Sequence, residues 1–247
     1  MGRADLGESS GASQPIDAVL LDAGGVLTLP RVDLVRRALR DMGALPDAST
    51  LERAHYVAIA AYDRARGERE GYGAFLEAYV RAAGVPASCG ELAAARLDAA
   101  LKADHHPWSR VRRGAHRGLR AICESGATVV VVSNSNGTVE WSLLTLEICQ
   151  VGPGPGAQVT GVLDSQVVGH AKPDPRIFAL ALSMAGVPAG RAIHVGDSVR
   201  ADVGGARAAG VCPLHFDPHG ICRASDHEHV ASLVEVARRV RLSRRRP

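Results

Sequence analysis

"AVLLDAGGVLTLP", residues Ala18 to Pro30, is an apolar run that ends on an acid and then breaks at two glycines. An uninterrupted apolar stretch bounded by a turn signal predicts a buried strand over Ala18–Leu21 with Asp22 at its tip. Four further runs read the same way: Val129–Val132, Val159–Leu163, Ala192–Val195 and Val211–Phe216. Helix-length segments lie between the later ones. Gly114–Ser125 puts Leu119 and Ile122 on one face. Pro175 to Ala185 carries Ile177, Leu180 and Met184 at helical spacing, with Asp174 as N-cap, Pro175 at the first position and Gly186 past the end. Strands alternating with helices predict an α/β fold with a parallel, doubly wound, five-stranded sheet.

The first interval breaks that alternation, because residues 30–109 read as entirely helical. Val32, Val35, Leu39 and Met42 form one stripe closed by Gly43. Ser49 with Glu52 makes a capping box for the next helix. Phe75, Leu76, Tyr79 and Val80 mark a third helix ended by Gly84, and Leu92–Leu101 a fourth. An insert directly after the first strand stands over the carboxyl ends of the strands, where open α/β sheets bind ligands. The expected organisation is therefore a leader without order over 1–15, a core over 16–29 and 110–235, a helical cap over 30–109, and a basic tail over 236–247.

Composition bounds the rest. A chain of 247 residues, 46% hydrophobic and 22% charged, can bury a large core, and with 4% aromatics that core must be aliphatic. The net charge of +3 comes from Arg238, Arg239, Arg241, Arg244, Arg245 and Arg246; without these six the chain stands at −3. Such a cluster can attract nucleic acid or anionic lipid, but a solvated terminus is the plainer reading. Cys89, Cys123, Cys149, Cys212 and Cys222 are odd in number and form no CxxC pair, so no disulfide framework is expected and a reducing cytoplasm is the default compartment. No stretch is long and apolar enough for a membrane span, and the first residues lack the apolar region of a secretory signal. The Gly/Pro-rich "VGPGPGAQV", Val151–Val159, reads as a surface loop, since its prolines remove the N–H donors that a phosphate cradle needs.

The strand ends carry the chemistry. The first ends in Asp22; the second in "VVVVSNSNG", with Ser133 and Asn134; "GHAKPDPRIF" after the third holds Lys172; "AIHVGDSVRAD" at the fourth holds Asp197, Ser198 and Asp202. Each alone is an ordinary turn or cap residue, although Lys172 and Lys102 are the only lysines in the chain. A parallel sheet brings all four loops to one edge. There these groups suit phosphoryl transfer through an aspartyl intermediate. A carboxylate nucleophile repels a phosphate dianion, so a divalent cation must lie between them. Asp22, Asp197 and the backbone carbonyl of Gly24 supply hard oxygen ligands of the kind Mg²⁺ prefers. Lys172 neutralises further charge, while Ser133 and Asn134 bind phosphate oxygens. Ser198 and Asp202 stand behind them, Asp202 to orient Lys172 or a metal-bound water.

"LLDAGGVL", "VVVVSNS", "KPDPRIF" and "HVGDSVRADVGGARAAG" together resemble, in order, the four motifs of the haloacid dehalogenase-like (HAD) hydrolase superfamily. The resemblance runs from about Ile16 to Asp217. It implies a Rossmann-like core, a mobile helical cap, Mg²⁺, a nucleophile at Asp22, phosphate binding by Ser133 and Lys172, and an acidic motif at Asp197 and Asp202. The implied substrate is a small phosphorylated metabolite, with neither membrane nor nucleic acid as partner.

One departure stands out. Phosphatases of the superfamily carry a second acid two residues after the nucleophile, to protonate the leaving oxygen and activate water, and here that position is Gly24. Such help is typically worth ~10²–10⁴ in rate. The reading that fits best is a slow or selective phosphatase. A non-catalytic binding module is the alternative, opposed by the retention of Asp22, Ser133, Lys172 and Asp197 together. The dehalogenase branch lacks the acid but uses no metal. The phosphonatase branch needs a Schiff-base lysine early in the cap, whereas Lys102 lies late. His105, His106 and Trp108 are candidates for the cap entrance. Cys212, His215, His219 and Cys222, spaced CxxH and HxxC with His227 and His229 nearby, are a rival zinc set. Cys212 alternates with Leu214 in a strand, so a core role is expected for it instead.

Overall fold

The computed structural model describes residues 14–245, the side chain of Glu68 excepted. Most of the expected leader and the last two residues of the expected tail fall outside the described residues. Six strands form the main sheet: β1 (Ala18–Leu21), β2 (Thr128–Ser133), β3 (Gly161–Asp164), β4 (Ala192–Gly196), β5 (Cys212–Phe216) and β6 (Glu228–Val230). Their order is β6-β5-β4-β1-β2-β3, with every pairing parallel. β1 is central and buried on both faces. Val19 and Leu21 enter one core layer, and Ala18 and Leu20 the other, which is why the run is apolar without alternation.

The sheet has six strands where five were expected. The added strand, β6, comes from "DHEHV". Three residues at a sheet edge, only one of them a buried apolar side chain, carry too little period-two pattern to be read from sequence. The Gly/Pro-rich stretch also departs from a plain loop. Its end, Ala157–Val159, pairs with Cys149–Val151 in a separate two-stranded parallel sheet, and the Gln150 side chain bridges the turn between them. Val159 therefore belongs to this small sheet and not to β3.

Four helices follow β1: α1 (Val32–Ala38), α2 (Ala48–Arg64), α3 (Glu68–Ala82) and α4 (Gly90–Ala103). They enclose a core of their own, with Leu39, Leu51, Tyr79 and Leu97 fully buried. The cap of α2 is Asp47, which accepts from Thr50 N at 2.7 Å; Ser49 donates to the same carboxylate and is not the capping residue. An ionised carboxylate facing the free N–H groups of a first turn outcompetes a hydroxyl two residues along. The chain enters and leaves this helical unit through a two-stranded antiparallel ribbon, Thr28–Leu29 with Arg110–Val111.

The remaining helices flank the sheet, among them α5 (Ala115–Cys123), α6 (Pro175–Ala185) and α7 (Leu233–Ser243). The arginine-rich end is thus not a free tail as far as Arg245. Leu233, Val236, Ala237 and Val240 recur at helical spacing between the arginines and are buried against the core. The arginines then pin the helix. Arg239 pairs with Glu228 and Glu235, Arg241 donates to Ala121 O, and Arg244 to Gly126 O.

Candidate active site

All four predicted strand ends converge at the carboxyl edge of the sheet. Asp22 remains tied to the sheet through its N–H to Val195 O at 2.9 Å, while its Oδ1 accepts from Ala23 N. Lys172 is buried in the loop after β3. Asn134 holds it there with a reciprocal pair: Asn134 Nδ2 to Lys172 O and Lys172 N to Asn134 Oδ1, each 2.8 Å. Asn134, expected to bind phosphate, thus uses its side-chain amide to position Lys172. The ammonium lies 2.7 Å from Asp22 Oδ1 and 2.7 Å from Asp202 Oδ1. Asp202 sits in a π-helical turn, Val199–Gly204, of the kind often found at functional sites. It also accepts from His194 Nε2 and from Ser198 N.

Charge is unbalanced here. Oxygens of Asp22, Asp197 and Asp202 lie within 4.8 Å of one another, all buried, with Lys172 as their cation. Burial pushes Asp22 up to about 7; Lys172 pulls it down, and the charges of Asp202 and Asp197 push it further up. Asp197 is raised well above the usual carboxylate range by burial first and then by Asp202 and Asp63. Burial raises Asp202 too, but Lys172 and His194 outweigh it and hold that carboxyl well below the usual range. Two acids held back from ionising beside one satisfied acid are a donor set that suits a hard divalent cation.

The cavity above these groups measures about 620 Å³, and Ser133, Gly24 and Ser198 line it with the acids and Lys172. His55 and Tyr62 of α2 and Trp108 after α4 also line it. Of the expected entrance residues, His106 and Trp108 line the cavity and His105 does not. Lys102 lies at the rim, ion-paired with Asp98 at 2.7 Å and largely exposed.

The two glycines after Asp22 differ in kind. A Cβ on Gly24 would meet nothing nearer than the Trp108 ring at 3.9 Å. Gly25 has a φ of +69°, and a Cβ there would collide with the Asp197 carboxylate and lie 2.6 Å from His55 Nε2. Gly25 is the glycine that the packing requires.

Sequence reading missed the residues of α2 that reach across to the core. His55 Nε2 is 2.6 Å from Asp197 Oδ2, and burial pushes its imidazole down to about 3, so the ring is neutral. Tyr56 donates to Gly25 O at 2.6 Å. Asp63 accepts from Ser198 Oγ, Val199 N and Arg200 N at 2.6, 2.8 and 3.0 Å. Ser198 is accordingly both the cap of the π-helical turn, accepting from Ala201 N, and a donor to the helical unit. The available signal was the row His55, Ile59, Tyr62 at helical spacing, all lining the cavity.

A family model described as haloacid dehalogenase-like hydrolase matches residues 16–210. A haloacid dehalogenase-like hydrolase domain-containing protein 3 from Bos taurus is 38% identical over 102 residues, 41% of this chain and 38% of that protein. A phosphoserine phosphatase from Thermus thermophilus is 46% identical over 67 residues, 27% of each chain. The matched stretches thus span well under half of those relatives' own length. Among solved structures, a 2-haloacid dehalogenase from Pseudomonas syringae pv. Tomato superposes with a TM-score of 0.52 at 22% identity, over 93% of this chain and 99% of that one. That likeness concerns the fold alone.

Proposed function

Because this chain belongs to the haloacid dehalogenase-like hydrolase family, we propose that it is a Mg²⁺-dependent phosphohydrolase acting on a small phosphorylated metabolite. The observation that carries this reading is the buried cluster of Asp22, Asp197 and Asp202 around a single ammonium. A reaction needing only a carboxylate nucleophile and one cation has no use for the third acid, whereas a phosphate dianion arriving beside Asp22 does need more positive charge. The phosphatase name of one relative is consistent with it.

Asp22 and Asp197 would hold the metal, with the carbonyl of Gly24 as the further protein ligand. When bound, the ion supplies positive charge between nucleophile and phosphate. An Asp22 oxygen attacks phosphorus, the bond to the leaving oxygen breaks, and water then hydrolyses the aspartyl phosphate. Lys172 gives two of its three N–H donors to Asp22 and Asp202, leaving one for a phosphate oxygen. Ser133 offers its hydroxyl from the end of β2. Asp202, the acid most firmly ionised, fixes Lys172 in place. The cap excludes bulk water.

The test is phosphate release from a panel of phosphorylated metabolites with Mg²⁺, wild type against Asp22→Asn. The substitution is expected to lower turnover by about 10⁴-fold or more, and a hydroxylamine-labile phosphoenzyme should form on the wild type alone. Equal, slow release by both proteins would overturn the enzymatic reading.

A further inference from the structure

A second cluster lies on the far side of Asp197. β6 pairs with β5 so that His229 stands opposite His215. Cys222 and His227 come from the segment between these strands, folded over by Asp217, which accepts from Ile221 N at 2.9 Å and Cys222 N at 2.8 Å. One ligand atom from each of His215, Cys222, His227 and His229 lies within 4.8 Å of all the others.

The proton arrangement in this cluster can be worked out. His215 Nε2 lies 2.9 Å from the Asp197 carbonyl, and His227 Nδ1 lies 2.8 Å from Asp226 Oδ1. Those oxygens only accept, so these two nitrogens carry the protons. In neutral rings the remaining nitrogens, His215 Nδ1 and His227 Nε2, are lone pairs, and they face each other at 3.2 Å. The Cys222 sulfur is 3.7 Å from the same His227 Nε2, and His229 Nε2 is buried without a partner among the described residues. A proton shared by the two imidazoles would answer two of these groups and leave Cys222 and His229 unanswered. One cation answers all four.

The spacings select the cation. Tetrahedral zinc, with Zn–N about 2.0–2.1 Å and Zn–S about 2.3 Å, sets its nitrogen ligands roughly 3.3 Å apart and nitrogen and sulfur roughly 3.6 Å apart. The distances here are 3.2 and 3.7 Å. The outer contacts match as well, since metal-bound imidazoles commonly donate their other N–H to a carboxylate or a carbonyl, as His227 and His215 do.

The geometry points to a closed structural zinc site made by His215, Cys222, His227 and His229. It is separate from the magnesium-type acids but joined to them through the Asp197 carbonyl. The ligand run is Cys-x4-His-x-His plus one histidine from β5. The sequence spacing obscured it, because Cys212 and His219, two of the candidates considered first, are not members. Cys212 is exposed at the start of β5, contrary to the core role expected for it. Zinc here would clamp the sheet edge, the 217–227 segment and, through His215, the peptide that carries Asp197.

The full chain, untagged, is to be dialysed with Zn²⁺ and then against Mg²⁺ buffer, and its metal content measured. About one zinc per chain is expected to remain. Co²⁺ in its place should show a tetrahedral ligand-field spectrum with a thiolate charge-transfer band. Cys222→Ser should lose that band and keep a tetrahedral spectrum, and Asp226→Asn should weaken zinc binding by about 10–100-fold. Asp22→Asn should retain zinc fully, which separates this site from the acids whatever the fate of the phosphatase reading. Wild-type protein without retained zinc, zinc lost with Asp22→Asn, or a charge-transfer band surviving in Cys222→Ser would each overturn the assignment.

Discussion

His55 Nε2 and Asp197 Oδ2 share a hydrogen bond of 2.6 Å although 142 positions separate them, so helix α2 directly holds an acid at the edge of the main sheet. The ring is neutral and buried, and with Asp197 ionised it can only donate. It therefore orients a candidate metal ligand from behind. His55→Ala is expected to weaken Mg²⁺ binding by about 10–100-fold, with His55→Gln recovering part of the loss. The check is the Mg²⁺ midpoint for raising Tm. A fall in Tm with an unchanged midpoint would assign His55 to packing alone.

Asp63 latches the same helix eight residues on, where its carboxylate accepts from Ser198 Oγ, Val199 N and Arg200 N. An amide keeps one acceptor and turns a donor towards the N–H groups. Hydrogen bonds to charged groups are worth about 1.5–3 kcal/mol, so Asp63→Asn should loosen the cap by that order. Limited proteolysis at the ribbon formed by 28–29 and 110–111 should quicken, and Asp63→Ala should quicken it more. Unchanged cleavage in both variants would remove Asp63 from the latch.

These contacts show what sequence could and could not reveal. Asp22, Ser133, Lys172 and Asp202 were legible because each ends a strand or lies in the segment after one, and a parallel sheet brings its strand ends to one edge. His55 and Asp63 were not, because nothing local tells a helix polar residue facing solvent from one facing another domain. The fold was legible where apolar runs are long, as in β1 and β2. It was not at β6, a three-residue edge strand, nor in α7, whose arginines mask the buried stripe Leu233, Val236, Ala237 and Val240.

The glycine pair makes a paired prediction. Nothing at position 24 protonates a leaving oxygen, so turnover should fall steeply as leaving-group pKa rises. Position 24 has room for a Cβ beside Trp108, and Gly24→Asp should fold and raise turnover of poor leaving groups, by up to ~10²–10⁴. Gly25→Ala should instead be severely destabilised, because it needs a positive φ and overlaps the Asp197 carboxylate. A flat leaving-group dependence in the wild type, with chemistry rate-limiting, would mean that another acid serves.

Metal affinity should depend on pH with a definite sign. Burial lifts Asp22 from 3.8 to about 7, and Asp197 moves the same way. A raised carboxyl contributes stability that is present below its unfolded value and lost as pH rises through its folded one. Cation-free protein should therefore lose this contribution between 3.8 and about 7, as the acids ionise beside one another. Mg²⁺ has to displace those protons, so its affinity should climb across the same window, by up to about tenfold per pH unit for each proton released, and level off above it. The measurement is the Tm gain on adding Mg²⁺ at about pH 5.5, about pH 7 and about pH 8.5, which runs from inside that window to above it. The gain should be smallest at the acid end, and in Asp22→Asn it should lose most of its pH dependence. A gain that is constant across the series would show that the acids are already ionised before the metal arrives, their charge balanced without Mg²⁺.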